Sequence, residues 1–171
     1  DAEEKVTGRT RYVDDYNPEG CLHAVTVRSG RPFISIRGID AARARAMTGV
    51  RAVLTARDIP GKNLWPLVLS DYPVLADGVA RFAGEAVALV VAQTRRAALD
   101  AARLVRIDFE EKKAVFDPEE AMREGAPKVF GDDNVFRRYA VHKGDVERGF
   151  AEADVVVEGE FETGYQVQAY L

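Results

Sequence analysis

The side chains best equipped to hold a metal or to act as nucleophile and base are Cys21, His23 and His142, the only cysteine and the only two histidines. Cys21 and His23 are two residues apart. On a strand that spacing turns both side chains to one face, because successive residues point to opposite sides. Such a pair would supply half of a tetrahedral zinc set. No second pair with ligand spacing exists, and His142 lies far along the chain with no companion nearby. The pair therefore reads as a packed histidine beside a small buried thiol. A lone cysteine also rules out an intrachain disulfide and fits a reducing compartment, so the chain reads as cytoplasmic.

Carboxylates are the next candidates. Asp14-Asp15 and Asp132-Asp133 are adjacent pairs. Catalytic carboxylates must converge in a pocket, whereas neighbours in a polar turn point apart into water, so both pairs read as turn formers. Glu158, Glu160 and Glu162 alternate on one face of a segment whose other face holds Val157, Gly159 and Phe161. Three like charges on one strand face repel unless solvated or met by basic groups. They read as a wet outer face, with docking against a basic partner surface as the alternative. Gly84-Glu85 is one glycine and one acid, too little for a site. Neither a phosphate-cradling glycine motif nor a nucleophile elbow occurs. The residues thus name no catalytic, cofactor-binding or metal-binding position.

The elements around these residues are more legible. Leu22 to Arg28 and Phe33 to Ile39 read as strands on either side of a Ser29–Pro32 turn. Asp40 is placed to cap a short Ala- and Arg-rich helix to Met47, with Gly49 at its end. Val50 to Leu54 reads as a strand, Thr55 to Pro60 as one helical turn, and Gly61 to Pro73, with Trp65 and Tyr72, as a long connection suited to partner contacts. Ala86 to Ala92 (AVALVVA) is continuously apolar and predicts a strand buried on both faces. Thr94 caps a helix over 95–105 whose apolar stripe is Ala97, Ala101, Leu104 and Val105. Arg106 to Phe109 then returns as a strand beside the first, giving a right-handed βαβ unit. Asp117, Pro118 and Glu120 read as N-cap, first helical residue and capping box. Val135 to His142 reads as extended, Gly144-Asp145 opens a last helix to about Ala153, and Val155 to Thr163 is an alternating strand.

The chain has 171 residues, 47% of them hydrophobic and 30% charged, which is ample for a folded core. Net charge is −4, with 24 basic and 28 acidic side chains interspersed. No basic stripe offers itself to nucleic acid, and the longest apolar run is too short to cross a bilayer. Both ends read as cut, with no initiating Met and with Tyr165 to Leu171 as a strand still running.

Several blocks in order carry a resemblance. They are Glu4 to Asp15 (EKVTGRTRYVDD), Gly20 to Ala24 (GCLHA), Gly49 to Gly61 (GVRAVLTARDIPG), Pro73 to Ala76 (PVLA), Val79 to Ala92 (VARFAGEAVALVVA) and Ala153 to Gly159 (ADVVVEG). Together they resemble the opening of the large, molybdenum-carrying subunit of xanthine dehydrogenase and aldehyde oxidase relatives. The resemblance implies an α+β fold, the α/β hammerhead, with a mixed sheet, a βαβ unit and short helices over residues 1–153. Residues 154–171 would be the first strand of the molybdopterin-binding domain. It also implies oxidative hydroxylation of purines or related heteroaromatics by the whole subunit, with aldehyde oxidase, carbon monoxide dehydrogenase or aromatic acyl-CoA reductase relatives as alternatives. Molybdopterin belongs to the longer part of such a subunit. The 2Fe–2S clusters and FAD, which take the electrons, belong to partner subunits or domains. This stretch would be scaffold, packing against the molybdenum domain through the Trp65 loop and the glutamate ladder. In one departure, many relatives carry His two places after the glutamine matching Gln166, where this chain has Gln168. A stand-alone binding module using the Trp65 loop, or a small enzyme built on His23 or His142, are the competing readings.

Overall fold

The computed structural model describes residues 2–66 and 70–167. Residues up to 135 form one compact unit and those from 136 a second.

The first unit is built on β7 (Ala86–Ala92). Its Val-rich run pairs antiparallel on one side with β1 (His23–Arg28) and on the other with β3 (Val50–Thr55). β7 is buried on both faces, as its unbroken apolar run requires. Ala88 and Val90 join Ala41, Ala44, Val53 and Ala101 in a core under α2 (Ala42–Arg45) and α3 (Arg95–Ala102). Val87 faces the other way, into a second core with Ile34, Ala76 and Ala80.

That second core lies under another antiparallel sheet, with β2 (Ile34–Asp40) between β6 (Val79–Ala80) and β8 (Arg106–Glu111). The strand–helix–strand order over 86–111 is present, but the expected parallel βαβ pair is not. Both edges of β7 are already taken by β1 and β3, so β8 completes its ladder along β2 instead. Every described pairing is antiparallel, which corrects the mixed sheet.

Local signals act where their chemistry demands. Thr94 accepts from the Ala97 N–H, Asp117 from Glu120 and Asp145 from Arg148. These bonds open α3, α4 (Pro118–Met122) and α5 (Val146–Ala151) respectively. The Asp40 carboxylate accepts from the Ala42 N–H, although β2 runs as far as Asp40 itself. Gly49 follows α2 with φ at +86°, a conformation that costs a side-chain-bearing residue steric strain. The buried residues of α3 are Ala98 and Ala101; Ala101, with Leu104 and Val105 packed against the core, lies on the predicted stripe, and Ala98 takes the place expected of Ala97. The polar start also holds a short helix, α1 (Ala2–Val6), that its composition did not announce.

In the second unit α5 forms as predicted. The extended run at 135–142 and the alternating segment at 155–163 do not pair into strands. A strand exists only through its ladder, and no described residue supplies one. Of the predicted strand over 165–171, positions 168–171, including Gln168, lie outside the described residues.

Candidate functional site

Cys21 is exposed and precedes β1 instead of lying on it, so the reading of a buried thiol is corrected. His23 is half-buried at the first position of β1, and His142 is exposed in the second unit. Among the described residues no three His, Cys, Asp or Glu side chains converge as metal ligands would. Asp15 accepts a bond from the Tyr12 N–H at 2.8 Å, and the Asp132 and Asp133 residues are exposed in a turn.

The residue that sequence reasoning passed over is Glu85. Its side chain is 2% exposed, at the start of the central strand. One carboxylate oxygen accepts from the Arg81 backbone N–H, and the other lies 3.7 Å from the Arg81 guanidinium. Burying a carboxylate without partners is costly, and here a turn and its own arginine supply them. Arg81 also donates from Nε to the Val129 carbonyl at 3.2 Å, tying the 113–135 stretch to the sheet. That stretch closes on Asn134, whose amide accepts from the N–H groups of Val129 and Phe130 and donates to the carbonyls of Ala121 and Pro127. The same corner collects the end of β1, where Arg28 donates to the Gly84 carbonyl, and the residue after it, Ser29, whose Oγ bonds the Phe82 carbonyl at 2.9 Å. This is a structural knot in which each of these polar groups is met by a partner of the fold. A lone acid in sequence carries no sign of it.

Within the 61–73 stretch, expected as an irregular connection, β4 (Trp65–Pro66) pairs antiparallel with β5 (Ser70–Tyr72), setting Trp65 opposite Tyr72. Asn63 pins its base by donating to the Leu75 carbonyl at 2.6 Å and accepting from the Leu75 N–H at 3.0 Å. Tyr72 stacks on Phe82 with centroids 6.4 Å apart. Trp65 is 60% exposed. The result is an aromatic ridge on an ordered base.

A groove of about 680 Å³ lies where β2, the turn after β3 and the approach to β6 meet, lined among others by Arg37, Arg45, Arg57 and Asp58. Most of its charges are already engaged. Arg37, at the bulge of β2, meets Glu110 of β8 at 2.6 Å, which raises the guanidinium above its ordinary range and holds Glu110 below the usual carboxylate range. Arg45 donates to the Val53 carbonyl at 3.2 Å. Asp58 accepts from the Thr55 N–H and hydroxyl, and these bonds hold its carboxyl below the usual range. Arg57 is exposed. Binding a molybdenum cofactor here would need convergent donors free to turn toward it, and an iron–sulfur cluster is held by several thiolates where this chain has one. The described residues fit neither group.

The family model for the aldehyde oxidase and xanthine dehydrogenase a/b hammerhead domain matches residues 7–113, from the end of the first helix to just past β8. The chain belongs to that family. Its hammerhead domain is therefore the double-sheet body described above. The chain is 35% identical over its whole length to a probable xanthine dehydrogenase subunit from Bacillus subtilis (strain 168), covering 23% of that protein. It is 37% identical over 95% of its length to the nicotinate dehydrogenase large molybdopterin subunit of Eubacterium barkeri, covering 38% of it. Among solved structures, the aldehyde oxidoreductase of Desulfovibrio gigas matches 90% of this chain with a TM-score of 0.79 and 34% identity, over 18% of that chain. The hammerhead chain thus spans well under half the length of these relatives.

Proposed function

We propose that this chain is the hammerhead scaffold of a molybdenum-carrying large subunit that oxidatively hydroxylates purines or related nitrogen heteroaromatics. In this reading residues 1–153 form the hammerhead, and residues 154–171 open the molybdopterin-binding domain. Molybdopterin supplies the hydroxylation chemistry, and 2Fe–2S clusters and FAD on partner subunits or domains receive the electrons. What this chain contributes is a frame: two antiparallel sheets that meet at the second core, the first sheet covered on its other face by helices, with the Glu85–Arg81 knot at the start of the central strand. The Trp65 ridge and the glutamate face are its contact surfaces.

The observation that carries this reading is the alignment of the entire chain with a probable xanthine dehydrogenase subunit. The similarity to a nicotinate dehydrogenase subunit supports a ring nitrogen heterocycle as the substrate class. A second reading, aldehyde oxidation, is favoured by the backbone match to an aldehyde oxidoreductase.

The test is steady-state turnover by the assembled enzyme of which this chain is part, with xanthine, nicotinate and benzaldehyde as competing substrates. A kcat/KM for xanthine or nicotinate that exceeds the aldehyde's supports the heteroaromatic reading. The reverse order favours the aldehyde reading, and turnover of none of the three retires both.

A further inference from the structure

The side-chain amide of Asn134 uses its full hydrogen-bonding capacity. Its Oδ1 accepts from the N–H groups of Val129 at 2.8 Å and Phe130 at 3.0 Å. Its Nδ2 donates to the carbonyls of Ala121 at 2.7 Å and Pro127 at 2.8 Å. The backbone of Asn134 takes φ of +60°, and among the described residues it is the one side-chain-bearing residue with a positive φ. Asparagine enters that region more readily than most residues, so the position suits an amide turned back onto its own loop. The loop so closed, residues 121–134, lies beyond residues 7–113 that the family model matches.

Two clamps meet at one peptide group of that loop. The Phe130 N–H and the Val129 carbonyl belong to the same planar unit. Asn134 holds the N–H end, and Arg81 Nε holds the carbonyl end at 3.2 Å. Arg81 also holds the buried Glu85, through its backbone N–H and its guanidinium. Contacts therefore run without a break from Asn134, through the peptide and Arg81, to the carboxylate just ahead of β7. Hydrogen bonds at the two ends of one peptide polarise each other, so each strengthens the other. We propose that this relay is a two-way conformational coupling: closure of the 121–134 loop tightens the hold on Glu85, and the hold on Glu85 keeps the loop closed. Coupling of this kind is equal in both directions. Whatever binds or opens the loop is then felt at the start of the central strand.

Hydrogen–deuterium exchange on the assembled enzyme, followed in peptides 79–85, 86–92 and 128–134, tests the coupling. Arg81→Lys keeps a cation for Glu85 and the backbone N–H but has no Nε–H for Val129. It touches neither the Val129 nor the Phe130 N–H, yet it is expected to speed exchange in 128–134 about tenfold. Asn134→Gly accepts the positive φ without strain and removes only the amide. It touches nothing in 79–85, yet it is expected to speed exchange there about tenfold as well. The double variant should lie within about twofold of the larger single effect in each peptide, because either substitution alone already breaks the relay. A cross effect below about twofold, or single effects that multiply in the double variant, would overturn the proposal. So would equal acceleration across 86–92, which would show general loosening of the sheet. Should Asn134→Gly fail to assemble, the response of 128–134 to Arg81→Lys decides alone.

Discussion

Glu85 is held by Arg81 twice, through a backbone N–H that bonds one carboxylate oxygen and a guanidinium 3.7 Å from the other. The arginine in turn reaches the Val129 carbonyl, so one acid links the central strand to the stretch that follows the second sheet. Glu85→Ala leaves the Arg81 N–H without its acceptor at a part-buried corner. It should cost about 1–3 kcal/mol in urea unfolding, the range for an unsatisfied buried polar group. Glu85→Gln retains an acceptor and should cost less. Equal losses for the two would show that charge, not the backbone bond, is what matters.

Ile34 is fully buried between β6 and β8 and faces Val87 across the second core. Ile34→Ala removes the three outer side-chain carbons from a fully buried site flanked by β6 and β8, and should destabilise by about 2–5 kcal/mol. Ile34→Val should cost about 0.5–1.5 kcal/mol. Denaturant midpoints of the two variants give the ratio, and a small effect from the alanine would mean the second sheet is not tightly packed.

Thr94 is the N-cap of α3, the helix that covers the first core. Thr94→Ala loses its bond from the Ala97 N–H and should reduce stability by about 1 kcal/mol, with Thr94→Asp close to neutral. Thermal unfolding of both variants checks the order.

Asp58 carries a pH dependence whose sign follows from its partners. The Thr55 N–H and hydroxyl bond the ionised carboxylate, so its pKa is lower in the folded chain than in the unfolded one. The unfolded chain then binds the proton first as pH falls. The stabilisation is fully present above the ordinary aspartate value of about 3.9, and it is lost as pH drops below that through the depressed folded value. Asp58→Asn should flatten this part of the acid unfolding profile while leaving the profile above it unchanged in shape. A variant that tracks the parent at every acid pH would contradict the assignment.

How much of this was legible in the sequence depends on the range of the interaction. Caps at Thr94, Asp117 and Asp145, and the left-handed Gly49, are set by neighbours within a few residues, and each stands where its chemistry placed it. The run Ala86–Ala92 announced a strand buried on both faces because no alternation was present to leave one face wet. Its partners were not readable. Strand–helix–strand order is compatible with a parallel pair, and only the prior claim of β1 and β3 on both edges of β7 sends β8 to the other sheet. Glu85 was missed for the same reason, since besides Arg81 its surroundings include Ser29, more than fifty positions away, whose N–H bonds the Glu85 carbonyl. At Val155–Thr163 the alternation is plain, yet a strand needs a ladder that the described residues do not provide.

The central claim is that this chain frames a reaction centre and contributes no reactive group to it. The most direct test is kcat of the assembled enzyme carrying Cys21→Ser, His23→Asn and His142→Asn together, the three side chains here best suited to ligation or nucleophilic attack. The account predicts kcat within about twofold of the parent, the span of an uninvolved site, where loss of a catalytic acid or base costs about 10²–10⁴-fold. A loss of that size with the fold and cofactor content intact would contradict it.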